Sequence, residues 1–350
     1  MPNEHAPPGA NQPGQAGARH RVHLVVRAGL PATAGNLVTA HRLAATLAAH
    51  GLDCRVLPAS ALVSEPPPLP EDIVHALHAR GAGLPALGWA QASPVVWTFT
   101  GTDLAAEDLT ALSEAAPRVA AFIAFHPEAA EQVRRALPLA ADRMHVIAPG
   151  VALAPAHPSP VAAPAGLIFL LPAGIRPVKD PDLAVAAVAA VARQGLPVHL
   201  FIAGPARDPA FHQEFLRRTA ALPFVHHLGE VERDVLAGWY AKSDVVLNTS
   251  RIEGLSNAVL EAMAAGRAVL AADIPGNRAA IRHGVDGWLA SPDDLPAAAV
   301  LLARDRGLRE RLGATARATT AQRFSPEAEA LAYRKVYEEV CGKAYNGGVR

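Results

Sequence analysis

Apolar residues fall in short runs, such as 22–26 and 95–99, separated by longer stretches whose apolar positions recur three and four apart. The run at 22–26 is followed by turn-rich residues 28–35. A helical stripe over 36–50 then carries Leu37, Leu43, Ala44 and Leu47 on one side. Strand-like runs follow at 54–57, 73–77, 95–99, 120–125 and 144–147, with helical stretches between most of them. Residues 149–164 hold five prolines and no periodic pattern, which predicts a linker. The alternation restarts beyond it, with strands at 167–171, 198–203, 224–228, 245–248 and 268–271. One intervening helix, 182–193, places Leu183, Ala187, Val188 and Val191 on one face. From Pro292 onward the pattern is helical, and Pro326 sets off a last helix, 327–340, carrying Leu331, Tyr333, Val336 and Tyr337. Strands alternating with helices predict right-handed β-α-β units and parallel sheets. The expected organisation is an α/β fold: a tail at 1–20, a Rossmann-like domain over 21–148, a linker at 149–165 and a second Rossmann-like domain over 166–325. The helix at 326–341 is expected to belong to the first domain.

Composition narrows the partners. A chain of 350 residues, 51% of them hydrophobic, is long enough for two domains with sizeable cores. Lys plus Arg and Asp plus Glu are 32 each, so no overall field draws the chain to nucleic acid or to an acidic membrane. Anion binding must therefore be local. The two cysteines, Cys54 and Cys341, make a disulfide framework unnecessary and fit a reducing compartment. Cys54 lies in an apolar run and is expected to pack as a small hydrophobe. Residues 1–20 are rich in Pro, Gly, Ala, Asn and Gln without an apolar core, which predicts a disordered tail and not a signal peptide. No stretch reaches the roughly 20 uninterrupted apolar residues of a membrane span. The expectation is a soluble cytoplasmic protein.

Ligands of doubly wound sheets bind beyond the carboxyl ends of the strands, so the loops there hold the chemistry. Ser250-Arg-Ile-Glu253-Gly254-Leu255-Ser256-Asn257-Ala258-Val-Leu-Glu261 follows the strand 245–248. Gly254 permits a tight turn and Ser256 is placed to cap the next helix. The free amides of that helix suit a diphosphate. Glu253 and Glu261 can each accept hydrogen bonds from sugar hydroxyls, one from a transferred hexose and one from a ribose. Either glutamate alone also fits a solvated surface. Ala173-Gly174-Ile-Arg176-Pro-Val-Lys179 follows the strand 167–171, and Arg176 and Lys179 can flank one anion. Asp180-Pro-Asp182 starts a helix, where the dipole alone favours carboxylates. No zinc-like spacing, Walker loop or dinucleotide fingerprint appears. No metal and no cofactor are expected.

The 253–261 string, with its continuation through 268–277 and 283–289, resembles the Glu-x7-Glu signature of family 4 retaining glycosyltransferases. The resemblance extends from about Val22 to Val340 and looks closest to two subgroups, the glycosyltransferase 1 domain-containing proteins and the selenosugar synthases. It implies a GT-B fold, two Rossmann-like domains facing a cleft with the last helix crossing back onto the first. It also implies that Glu253 contacts the donor sugar, Glu261 binds ribose, amides near Leu255–Ala258 hold a phosphate, and Arg176 and Lys179 neutralise the leaving diphosphate. The family's commonest form places that arginine directly after the glycine, where Ile175 stands here.

The stretch 95–104 resembles the family strand that ends in His-Gly-Ser-Asp, with Thr100-Gly101-Thr-Asp103 in its place. Threonine keeps a hydroxyl but cannot carry charge, so proton transfer by a histidine is excluded there. Arg27 ends the first strand, Gly35 and Asn36 open the first helix, and His78 and Arg80 end another strand. Together these can receive an anionic acceptor, although each alone also fits an ordinary surface position. The implied activity is transfer of a hexose or N-acetylhexosamine from a nucleoside diphosphate sugar, by family frequency a UDP-sugar, with retention at the anomeric carbon. Two other readings remain open. One is a selenosugar or thiosugar synthase with selenophosphate as acceptor, and the other is a non-catalytic sugar-nucleotide-binding protein. Nucleobase, sugar, acceptor and oligomeric state are not fixed by the sequence.

Overall fold

A computed structural model of the chain describes residues 21–30, 35–106, 109–152 and 164–342. The expected tail at 1–20 and residues 153–163 of the expected linker lie outside these. The first sheet contains β1 (Arg21–Val26), β2 (Asp53–Pro58), β3 (Ile73–Leu77), β4 (Val95–Phe99), β5 (Ala121–Ala124) and β6 (Met144–Val146). Its order is β2-β1-β3-β4-β5-β6, and every pair is parallel. Helices α1 (Gly35–Ala49), α2 (Leu84–Ala90), α3 (Gly101–Ala106) and α4 (Pro127–Ala136) connect it. The second sheet contains β7 (Leu167–Pro172), β8 (Val198–Ala203), β9 (Val225–Gly229), β10 (Val245–Asn248), β11 (Ala268–Ala272) and β12 (Trp288–Ala290). Its order is β12-β11-β10-β7-β8-β9, again all parallel. Its helices are α5 (Pro181–Ala192), α6 (Pro209–Thr219), α7 (Arg233–Lys242), α8 (Asn257–Ala264), α9 (Pro275–Ala280), α10 (Leu295–Arg304) and α11 (Arg306–Arg323).

The strand runs are apolar on both sides because helices cover both faces of each sheet. Val74, Trp97 and Phe122 face one core of the first sheet, and Leu24, Val96 and Ile123 face the other. The second sheet divides likewise between Phe169, Leu200 and Leu270 on one side and Leu170, Phe201 and Val269 on the other. Order reverses between β1 and β3 in the first sheet and between β7 and β10 in the second. Crevices open at these two points.

The last helix, α12 (Pro326–Val340), packs on the first sheet, as expected. Tyr333, Val336 and Tyr337 are buried there, but Leu331 is exposed, so the expected stripe is shifted to Ala330, Tyr333, Val336 and Tyr337. Glu329, itself buried, pairs with Arg42 of α1 through both carboxylate oxygens. Burial pushes the Glu329 carboxyl up, against the pull of Arg42 and the Gly150 backbone. The chain crosses between the two sheets twice, side by side. Val151 N–H donates to the Phe324 carbonyl at 2.8 Å, and a Cβ on Gly150 would lie 2.5 Å from Pro326 Cα.

Candidate functional site

Two loops meet at the reversal point of the second sheet. The loop after β7 runs through a short 3-10 turn, Pro177–Lys179, to Asp180, and the loop after β10 runs from Thr249 to Ser256. Three bonds join them: Arg251 N–H to the Val178 carbonyl at 2.9 Å, Thr249 Oγ1 to the Lys179 carbonyl at 2.9 Å, and Arg251 Nε to Asp180 Oδ2 at 2.8 Å. Asp180 also caps α5 by accepting from Leu183 N–H at 3.3 Å. Asp182 receives Arg218 at 2.9 and 3.0 Å. Both carboxylates are therefore used structurally, as the helix-start reading expects.

The joined loops present Lys179 Nζ to Glu253 Oε1, and Ser250 Oγ donates to the same oxygen at 2.7 Å. Burial pushes the Glu253 carboxyl up. The Lys179 ammonium and hydrogen bonds from Lys179, Ser250 and Asn248 outweigh that effect and hold it below the usual range. Glu253 is thus a carboxylate. Arg176 stands beside this pair on the same wall, its buried Nε without a hydrogen-bond partner.

Ser256 occupies the cap position of α8, as expected, but its hydroxyl makes no cap bond. It accepts instead from Asn248 Nδ2 at 3.0 Å, and Asn277 Nδ2 in turn reaches Asn248 Oδ1 at 3.3 Å. The first amides of α8, which no helix satisfies internally, are left without a side-chain cap. Such amides and the helix dipole suit an anion. One turn further on, Glu261 Oε2 accepts from Tyr240 OH at 3.0 Å and Oε1 from Arg233 Nη2 at 3.4 Å. Burial raises the Glu261 carboxyl above its ordinary value, against Arg233 and Tyr240. Burial likewise pushes the Tyr240 phenol well up, so it stays a hydroxyl donor.

The first domain supplies the facing wall. Gly101 and Gly254 touch through their backbones: a Cβ on Gly101 would lie 2.1 Å from Gly254 N, and one on Gly254 would lie 2.6 Å from Gly101 N. Only glycine fits at this crossing. Asn257 Nδ2 donates to Thr39 Oγ1 of α1 at 3.2 Å, a hydrogen bond across the cleft. Thr100 is buried, its N–H and hydroxyl directed at Asp103 Oδ2 at 2.7 and 3.1 Å, and Asn36 Nδ2 donates to Thr100 Oγ1 at 3.4 Å.

One cleft of about 960 Å³ collects nearly all of the expected residues. Gly174, Arg176, Lys179, Glu253, Gly254, Leu255, Ser256, Asn257, Ala258 and Glu261 line it from the second domain. Arg27, Gly35, Asn36, Thr100 and Gly101 line it from the first. Three expected residues do not line it. His78 and Asp103 are buried behind the wall, and Arg80 is exposed away from it. The π-helical turn Ala79–Gly83 carries the chain away after His78, and Asp103 turns back to accept from the Thr100 N–H and hydroxyl.

Several lining residues escaped the sequence reading. Gly204 and Pro205 after β8, and Val231, Arg233 and Leu236 around the start of α7, extend the cleft beyond Glu261. The first two lie just past a strand end, where the strand-end rule alone could have placed them. Tyr240 had no local signal, because its link to Glu261 spans 21 residues and two helices. Among the described residues no group of three or more His, Cys, Asp and Glu is arranged to hold a metal ion. No helix among them is long and apolar enough to cross a membrane.

Residues 167–304, which include the loops after β7 and β10, match the family model described as "Glycosyl transferases group 1". The D-inositol 3-phosphate glycosyltransferase of Jonesia denitrificans is 34% identical over 221 residues, covering 56% of this chain and 51% of the relative. Glycosyltransferase 1 domain-containing protein 1 of Xenopus tropicalis is 34% identical over 169 residues, covering 48% of this chain and 49% of the relative. The chain thus spans about half the length of these curated relatives. Among solved structures, Anabaena Alr3699/HepE in complex with UDP-glucose superposes with a TM-score of 0.70 at 18% identity, covering 91% of this chain and 99% of that one. The second half of this chain therefore matches the group 1 glycosyl transferases, within a two-sheet fold of the GT-B type.

Proposed function

We propose that this protein transfers a hexose or N-acetylhexosamine from a nucleoside diphosphate sugar to an acceptor held against the first domain. The observation that carries the reading is convergence. Two cations, two carboxylates and the uncapped N-terminus of α8 meet in one cleft at the reversal point of the second sheet. Arg176, Lys179 and the α8 amides match a diphosphate, and Glu253 and Glu261 match hydroxyl groups on either side of it. The apolar end formed by Pro205, Val231 and Leu236 is suited to a flat base. The UDP-glucose complex of the Anabaena neighbour supports a UDP-sugar as donor.

Departure of the diphosphate builds negative charge where these cations and amides already stand, so the stabilisation needs no reorganisation. The chain's own positive groups serve the leaving group, and the reading needs no metal. The cation-like sugar is then attacked on the face the diphosphate leaves, giving retention, and the leaving phosphate takes the acceptor's proton. Thr100, which cannot exchange a proton at neutral pH, is compatible with that route. The contact between Gly101 and Gly254 brings the two walls of the cleft together at the backbone. A cytoplasmic setting agrees with two free cysteines.

A thermal-shift screen with UDP-, GDP- and ADP-sugars names the donor. With that donor, Lys179→Ala and Glu253→Ala are each expected to lower turnover at least ~100-fold. NMR of the product is expected to show the donor's anomeric configuration. Full turnover in both variants, or an inverted product, rules the mechanism out.

A further inference from the structure

The donor-side wall balances its charges: four cations, Arg176, Lys179, Arg207 and Arg233, stand with four carboxylates, Glu230, Glu232, Glu253 and Glu261. The facing wall does not. Among its described residues Arg27 is the one charged side chain lining the cleft, and it forms no ion pair with a carboxylate. Around it stand neutral Asn36, Thr39 and Thr100 and apolar Leu30 and Val38.

Several features behind the wall hold this arginine in place. A Cβ at Gly81 would lie 2.7 Å from Arg27 Cγ and 3.0 Å from its Cδ and Nε, so the stem lies in space that only glycine leaves. His78 Nε2 is 3.4 Å from Arg27 Nη1. His78 is buried and has φ 129°, a backbone conformation that side-chain-bearing residues rarely adopt. It opens the π-helical turn Ala79–Gly83, a rare form that is frequent at functional sites. Its Nδ1 accepts from Gly81 N–H at 3.0 Å and lies 2.7 Å from Asp103 Oδ1, while Asp103 Oδ2 takes the Thr100 N–H and hydroxyl, and Thr100 Oγ1 accepts from Asn36. His78 and Asp103 thus lie side by side between Arg27 and Asn36, which is in the first turn of the 15-residue α1. A strained, buried support beneath an exposed guanidinium is difficult to explain as surface decoration.

We infer that Arg27, with Asn36 and the first turn of α1, forms the seat for an oxyanion on the acceptor, a phosphate or a carboxylate remote from the attacking hydroxyl. The guanidinium fork pairs two of its N–H groups with two anion oxygens, and the helix terminus adds favourable dipole. This rests on the transfer reading above and adds the acceptor's class to it. His78 and Asp103 act as positioning residues: they touch neither substrate and aim the arginine.

The test titrates glycerol, glycerate and glycerol 3-phosphate into protein saturated with UDP, by calorimetry, with UDP affinity measured separately for every variant. Glycerol 3-phosphate is expected to bind at least tenfold tighter than glycerol, and glycerate to fall between them. Arg27→Ala removes that preference, Arg27→Lys keeps part of it, and His78→Asn weakens phosphate binding while Arg27 is intact. UDP affinity stays within twofold in all three variants. Equal binding of the three probes, no binding of either anion, or an unchanged preference in Arg27→Ala overturns the inference. So does a loss of UDP affinity in Arg27→Ala as large as the loss of phosphate, which would assign the arginine to the donor. Failure of the wild-type protein to bind UDP at all is a different result and counts against the donor reading.

Discussion

Replacing Lys179 by methionine removes the cation that keeps the buried Glu253 ionised. Both side chains are mostly buried, with 17% and 14% of their surface exposed. Removing one partner of a buried pair costs about 3–5 kcal/mol, because the other charge is left uncompensated. The residual exposure lowers the expectation to about 2–4 kcal/mol at pH 7.5. The pH dependence carries a sign that distinguishes this cause from lost packing. In the wild type the Glu253 carboxyl lies below its unfolded value, so its contribution is present above that value and is lost on acidification. In Lys179→Met, burial acts against only the Ser250 and Asn248 hydrogen bonds, and the carboxyl is expected to rise above its unfolded value. Stability of that variant is then lost as pH rises through the new folded value, and the gap to wild type narrows towards pH 5. A double-mutant cycle with Glu253→Gln, read by urea denaturation at pH 5 and 7.5, measures the coupling. It is expected to reach about 2 kcal/mol at pH 7.5, whereas independent sites add within about 0.5 kcal/mol. Additive costs at both pH values refute the reasoning.

Three further expectations follow from other contacts. Gly101→Ala puts a methyl 2.1 Å from Gly254 N, so the two walls must part. A cost of about 1–3 kcal/mol is expected, with a larger radius of gyration by small-angle scattering and slower transfer. Tyr240→Phe strips one donor from Glu261, and donor affinity is expected to fall about tenfold, the scale of a hydrogen bond to a charged group. Discrimination between ribose and 2′-deoxyribose donors should shrink with it, as competition binding would read. Burial holds the His75 imidazole down to about 3, with Tyr337 and Thr98 each 2.7 Å from its nitrogens. The unfolded chain binds that proton below roughly pH 6.5, so stability is expected to fall on acidification by up to about 1.4 kcal/mol per pH unit from this group. His75→Gln should flatten that slope in urea titrations between pH 7 and 5.

The strands were legible because each is a short apolar run between helical stripes, and 245–248 and 198–203 fall where the structure has them. β12 was missed: Trp288–Ala290 is three residues long, and its pairing with β11 leaves no periodic trace. The loops after β7 and β10 were legible because their residues are contiguous in sequence and follow strand ends. Apart from Gly204 and Pro205, which follow a strand end, the missed parts of the site depend on contacts that no local run spells out. That Ser256 is bonded to Asn248 and does not cap α8 cannot be read from a Ser at a cap position. That Arg27 rests on Gly81 and His78 requires β1 and β3 to be neighbours, which local pattern does not state. His78 and Arg80 were grouped with the cleft for lack of the turn that separates them from it.

The most direct test is calorimetric titration of UDP and UDP-glucose into the wild-type chain and into Arg176→Ala and Glu261→Ala. Saturable binding of one ligand per chain is expected, weakened at least tenfold by Arg176→Ala for both ligands and by Glu261→Ala through the ribose. Wild-type affinity retained in both variants, or no heat with either ligand and none with GDP- or ADP-sugars, contradicts a nucleoside diphosphate sugar site in this cleft.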